Sequence, residues 1–131
     1  MHKLNDKTIG VILAIFSSFG LVFGFLAVVG VVSSKYVWGG RVTDHNQLVM
    51  FELATLVVNC LILWVIAMRV GFLKARLSAK FIRYILIFLM LVMILNTLGN
   101  IAAQTTVEKL FAIPTLISAI GFYILASRKS Y

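Results

Sequence analysis

The sequence predicts an all-α membrane protein, a four-transmembrane-helix up-down bundle with short connections. Three observations predict this class: 62% of the 131 residues are hydrophobic, only 12% are charged, and four long stretches lack Asp, Glu, Lys and Arg. A soluble domain of this composition would carry more apolar surface than its interior could bury. The spans are predicted at about 8–33, 47–69, 81–104 and 107–127, each near the ~20 residues that cross hydrocarbon. With their connections they occupy residues 1–131 as a single domain.

The first span is predicted to be a retained helix rather than a signal peptide. Its apolar run is longer than the ~7–15-residue core of a signal peptide. Small residues recur along one face, and the motif Gly20-x-x-x-Gly24 lets two helix backbones approach closely. This small-residue seam predicts either a contact with another helix of the same chain or a homodimer interface. Its members are Gly10, Ser17, Gly20, Gly24 and Ala27.

Local signals mark where the later helices begin and bend. Asp44, followed by Gln47 three residues later, is predicted to cap the second helix. Thr105 and Glu108 have the same spacing, so the fourth helix is predicted to begin there. Pro114 lacks an N–H group and is predicted to kink that helix.

The basic residues are distributed unequally between the two sides of the predicted bundle. Three of the twelve lie on one side, namely Lys35, Arg41 and Lys109. The other nine lie on the side of both termini, at Lys3, Lys7, Arg69, Lys74, Arg76, Lys80, Arg83, Arg128 and Lys129. The richer side is predicted to be cytoplasmic by the positive-inside rule. Topology therefore explains the net charge of +8 without a nucleic-acid partner.

Polar side chains inside the predicted spans are the candidate functional residues. Glu52 is an ionisable group near the start of the second span, and Asn59 returns to the same face seven residues later. The third span carries a second polar row at Asn96, Asn100 and Gln104. If the second and third helices pack antiparallel, the two rows are predicted to meet in the outer half of the membrane.

Two interpretations of these polar rows remain open. Amides commonly form hydrogen bonds between membrane helices without any ligand, and Glu52 could form an outer salt bridge with Arg41. Alternatively, the rows line a proton- or cation-linked site or a small-molecule site. The candidate ligand- or ion-binding residues are Glu52, Asn59, Asn96, Asn100, Gln104 and Arg41.

The connection between the second and third spans is rich in basic residues. If this segment continues as a helix, four of its charges share one face and are predicted to contact anionic lipid headgroups. These four residues are Arg69, Arg76, Lys80 and Arg83.

The sequence favours a non-enzymatic function without a cofactor or metal. His2 and His45 lie outside the spans, Cys60 has no second cysteine, and no catalytic or phosphate-binding motif is present. The leading hypothesis is a small transporter, channel or ligand-binding membrane subunit. The alternative is an accessory, immunity or scaffold protein whose polar residues only pack helices. Membrane lipid is the expected partner, and a bacterial plasma membrane is the expected location.

Overall fold

The computed structural model describes residues 4–129, and this part of the chain is helical and contains no strand. Four helical segments are long and apolar enough to cross a membrane, which confirms the predicted four-span bundle. The fourth span consists of the short helix α4 and the longer helix α5. The helices are α1 (Asp6–Val28), α2 (His45–Arg69), α3 (Ala79–Ile101), α4 (Thr106–Leu110) and α5 (Ala112–Ser127). His2 and Lys3, which precede the first predicted span, lie outside the described residues.

Side-chain caps begin the helices at the residues that the local signals indicate. Asp44 accepts a hydrogen bond from the Gln47 amide at 3.2 Å, which confirms the predicted start of α2. Thr105 accepts one from the Glu108 amide at 3.3 Å, which confirms the start of α4. Asn5 caps α1 in the same way. Each cap satisfies an amide that has no partner within its helix.

The fourth span is interrupted close to Pro114, as predicted. Helix α4 ends at Leu110 and α5 begins at Ala112, so Phe111 lies at the break. The amide of Phe111 bonds to the Glu108 carbonyl, which tightens the last turn of α4. Pro114 has no N–H to offer the Leu110 carbonyl four residues earlier, so the regular ladder cannot continue through this point.

The bundle has two ends of different character. The basic end carries the start of α1, the α2–α3 connection and the end of α5. There Asp6 pairs with Arg69 at 3.0 Å and with Arg128 at 2.8 Å. The buried Arg69 guanidinium also donates to the carbonyls of Leu125 and Arg128. The loop end carries the segment between α1 and α2 and the turn between α3 and α4.

The main core lies in the half of the bundle nearest the basic end. Its least exposed side chains are Val65 of α2, Leu86 and Leu89 of α3, and Phe122 and Leu125 of α5. Helix α1 packs most extensively on α2, and α3 packs most extensively on α5. Helices α2 and α3 contact each other sparingly. The bundle is therefore two tight helix pairs that meet mainly near the basic end.

The small-residue seam packs inside the chain, against α2. The Ser17 hydroxyl donates to the Asn59 side chain at 2.7 Å, and a β-carbon added at Gly24 would collide with the Glu52 carboxylate. All five residues of the seam are buried or half-buried within this single chain. The first alternative, a contact with another helix of the same chain, is therefore confirmed, and the structure gives no support to a homodimer interface through the seam.

The connection between α2 and α3 is not the predicted continuous basic helix. Helix α2 ends at Arg69, Gly71 has a φ of 85°, and α3 begins only at Ala79. Arg69 is buried and paired with Asp6, so its predicted headgroup role is wrong. The other three predicted headgroup residues are exposed near the basic end, at Arg76, Lys80 and Arg83.

Candidate functional site

A cavity of about 220 Å³ lies between the α1–α2 pair and the α3–α5 pair. All four spans contribute to the wall of this central cavity. Ser17 lies at the middle of α1, Asn59 near the middle of α2, and Asn96 in the part of α3 nearer the loop end. The cavity therefore extends from mid-membrane depth toward the loop end, where the two helix pairs no longer share the main core.

The polar part of the central cavity is built mainly from amides and hydroxyls. The Asn59 side chain accepts a hydrogen bond from Ser17 and donates one to the Thr55 carbonyl at 2.9 Å. On the opposite side, Thr115 of α5 is bonded to Thr97 of α3 at 3.0 Å. Asn96 also lines the cavity but is exposed and forms no hydrogen bond with another described side chain or backbone group. Its amide is thus available to an added molecule.

Three phenylalanine rings form the aromatic part of the wall. Phe23 and Phe111 meet edge to face with ring centroids 4.9 Å apart, and the centroid of the Phe19 ring lies 6.2 Å from that of Phe111. Such edge-to-face pairs are favoured by the quadrupoles of the rings. Because Phe111 occupies the break between α4 and α5, this cluster connects the first span to the bend of the fourth.

Glu52 lies beside the central cavity rather than in its wall. It lines a smaller cavity of about 140 Å³ between α1 and α2, together with Gly24. The two cavities adjoin, because Gly20 and Thr55 line both. The Glu52 carboxylate accepts a hydrogen bond from the Trp38 indole at 2.9 Å. The half-buried carboxylate is therefore hydrogen-bonded to the loop that covers this end of the bundle.

Glu108 is the polar residue whose environment the sequence did not predict. It is 4% exposed, and its carboxylate accepts hydrogen bonds from the Gly39 amide at 2.6 Å and the Thr105 hydroxyl at 2.9 Å. Its place in a helix-capping pattern predicted the contact with Thr105 but gave no sign of the contact with Gly39. The paired glycines at 39 and 40 were the available signal, because a turn there exposes backbone amides.

The two carboxylates together hold one unusual segment of the loop. Trp38, Gly39 and Gly40 all have positive φ, with values of 53°, 69° and 69°. A positive φ is strained for Trp, so the surrounding contacts must hold it in place. Glu52 of α2 and Glu108 of α4 supply such contacts at successive residues. This loop clamp connects the α1–α2 pair to the fourth span at the loop end.

The structure brings only part of the predicted polar site together. Asn59 and Asn96 share the central cavity, but Asn100, Gln104 and Arg41 do not line it. The expectation that the rows on α2 and α3 meet in register is wrong, because α3 packs on α5 and the row on α2 faces α1. Arg41 is exposed, and both ion pairs among residues 4–129 lie at the basic end, so the predicted Glu52–Arg41 bridge is absent from this part of the chain.

Sequence reasoning also missed three contributors to the central cavity, namely Ser17, Thr115 and Phe111. The spacing of small residues identifies Ser17 only as part of the seam, although a hydroxyl on a packed membrane helix commonly bonds to a neighbouring amide. The other two carry no distinguishing pattern in the sequence, because their roles depend on the bend of the fourth span.

No protein-family model matches this chain, and neither a curated protein nor a solved structure is significantly similar to it.

Proposed function

We propose that this integral membrane protein binds a compact, uncharged amphipathic molecule in the central cavity. The observation that carries the proposal is a cavity of about 220 Å³ whose wall combines aromatic rings with the free amide of Asn96. A dry protein cavity of about 150 Å³ is large enough for benzene. The volume therefore suits a ligand somewhat larger than a single ring.

The composition of the wall favours a neutral ligand over an ion. Within residues 4–129, no Asp, Glu, Lys or Arg lines the central cavity, and its polar groups are amides and hydroxyls. Binding an ion there would require removing water from the charge without an opposite charge to replace it. An aromatic alcohol or amide would instead place its ring among Phe19, Phe23 and Phe111 and its polar group beside Asn96.

The sparse contact between α2 and α3 provides the route by which a ligand would reach the cavity. Asn96 of α3 is exposed, whereas Asn59 on the α2 side of the cavity is half-buried. A route between these two helices would lie along the spans, so a molecule dissolved in the bilayer would reach the cavity without crossing the loop clamp. Such a lateral opening is consistent with an amphipathic ligand that partitions into lipid.

Fluorine NMR with 4-fluorobenzyl alcohol tests this proposal on the full chain in detergent micelles. The expected result is a saturable broadening of the fluorine signal beyond that caused by empty micelles. Replacing Asn96 by Leu keeps the branched shape of the side chain but removes the amide. The net value of one hydrogen bond predicts about a three- to tenfold weaker affinity for Asn96→Leu.

Asn100→Leu is the matched control, because Asn100 is one turn away on α3 and does not line the cavity. This variant should bind the probe as the unmodified protein does. Equal loss in both variants, or a fluorine signal that never saturates, would refute the central cavity as the site. Helical content measured by circular dichroism shows whether each variant remains folded.

A second candidate is a non-transporting accessory, immunity or scaffold protein whose polar residues only hold helices together. The observation in its favour is that Glu52, the expected charge-bearing group, bonds to Trp38 and lies outside the central cavity. A transporter or channel built on Glu52 would need this carboxylate for activity. Under the scaffold hypothesis, Glu52→Gln lowers the unfolding temperature and the unmodified protein shows no saturable probe binding.

We also propose that both termini are cytoplasmic and that the membrane is a bacterial plasma membrane. The charge asymmetry between the two ends supports this orientation. In a Cys60→Ser background, a cysteine replacing Ser34 at the loop end should react with an impermeant maleimide in intact bacteria. A cysteine replacing Ser127 should react only after permeabilisation, and the opposite pattern would reverse the proposed orientation.

A further inference from the structure

A second, chemically different cleft lies at the basic end, between the start of α3 and the end of α5. This basic cleft has a volume of about 310 Å³. Three exposed basic side chains line it, namely Lys80, Arg83 and Lys129. Within residues 4–129, none of these three forms a salt bridge or a side-chain hydrogen bond. Their charges are therefore available to an external anion.

Of the carboxylic side chains, Asp6 alone lies near this cleft, and it is already ion-paired. The chain has only four carboxylic side chains. Asp6 is already bonded to Arg69 and Arg128, which also line the cleft. The other three are Asp44, Glu52 and Glu108, all near the loop end. The loop end is separated from the cleft by the length of the spans, roughly 30 Å.

Beneath the basic rim, the floor of the cleft is apolar. Ile82 and Leu86 of α3 and Leu125 and Ala126 of α5 contribute to it, and none of the four is more than 5% exposed. The cleft thus places positive charge next to a hydrocarbon surface where two spans reach their ends. This is the depth at which a phospholipid presents its phosphate and glycerol groups.

We infer that the basic cleft binds an anionic phospholipid. Its phosphate would lie among Lys80, Arg83 and Lys129, and the first part of its acyl chains would lie over the apolar floor. The site is a defined cleft rather than the whole basic connection, because Lys74 and Arg76 do not line it. This lipid site is independent of the central cavity and of the ligand proposed there.

The test uses the full chain in phosphatidylcholine bilayers with spin-labelled phosphatidylglycerol at low ionic strength. Electron paramagnetic resonance measures how strongly the labelled lipid associates with the protein, relative to labelled phosphatidylcholine. Removing two charges with Lys80→Gln and Arg83→Gln should lower the preference for phosphatidylglycerol by roughly thirtyfold. The matched variant, Lys74→Gln with Arg76→Gln, removes the same charge from outside the cleft and should retain most of the preference.

Two further measurements keep the inference testable if one variant folds poorly. Lys129→Gln alone changes the opposite side of the cleft and should lower the preference by severalfold. Addition of 10 to 20 mM inorganic phosphate, with chloride matched for ionic strength, should not displace the lipid. Equal losses in the two double variants, or displacement by free phosphate, would overturn the assignment of the cleft to a lipid.

Discussion

Replacing Asp6 by Asn should destabilise the protein by about 2 kcal/mol, because it removes the negative charge at the centre of the basic-end ion cluster. Asp6 pairs with Arg69, whose side chain is only 4% exposed, and with the more exposed Arg128. The substitution preserves the size of the side chain. It leaves the Arg69 guanidinium buried without an opposite charge.

The magnitude follows from the different exposure of the two ion pairs. A hydrogen bond to a buried charged group contributes about 1.5–3 kcal/mol, whereas an exposed pair contributes about 0.2–1 kcal/mol. The amide oxygen introduced by Asp6→Asn can still accept a neutral hydrogen bond, and Arg69 keeps its bonds to the Leu125 and Arg128 carbonyls. Because these contacts remain, the free energy of unfolding should fall by less than the ~3–5 kcal/mol expected when a buried charge loses every partner.

Unfolding by sodium dodecyl sulfate in mixed micelles, followed by circular dichroism, measures this loss. Asp44→Asn is the matched control, because Asn is an equally good helix cap and Asp44 forms no ion pair among the described residues. The control should lose less than about 1 kcal/mol. In a double-mutant cycle that combines Asp6→Asn with Arg69→Met, the coupling energy should be about 1–2 kcal/mol. Equal losses for the two Asp variants, or zero coupling, would refute the role assigned to the cluster.

Two further predictions concern the α1–α2 contact and the loop clamp. Gly24→Ala should cost about 1 kcal/mol, because the new methyl group would displace the flexible Glu52 carboxylate and break its hydrogen bond to Trp38. Gly99→Ala is its control, because nothing lies within 4 Å of that position, and an unfolding midpoint lowered equally by both variants would contradict the packing argument. Glu108→Gln should speed hydrogen exchange of the Gly39 amide by about tenfold. Unchanged exchange at Gly39 would show that the carboxylate does not hold the loop.

Most of the architecture could be predicted from local features of the chain. Four uncharged stretches predict the spans because each must satisfy its backbone hydrogen bonds within a helix when it crosses hydrocarbon. The caps at Asp44 and Thr105 were predictable because a side chain three residues from an amide reaches it whatever the rest of the fold does. The interruption near Pro114 was also predictable, because proline lacks an N–H group wherever it lies in a fold.

The candidate site was only partly predictable, because it depends on which helices become neighbours. The polar residues at 52 and 59 were correctly placed on one face of α2, but that face contacts α1 rather than α3. The small-residue seam contained this information, since close backbone approach by α1 requires a partner. Hydropathy could not identify the partner, because every apolar helix face is compatible with several others and with lipid.

The sequence by itself determined that the chain is an all-helical membrane protein and where its helices begin, because these properties depend on residues close together in the chain. Only the tertiary structure decided the pairing of α1 with α2 and of α3 with α5. That pairing buries Arg69 beside Asp6, brings Glu108 to Gly39 across 69 residues of sequence, and leaves the central cavity between the pairs. The physical reason is that each arrangement requires side chains from separate spans to fit together at once, and no local pattern encodes that fit.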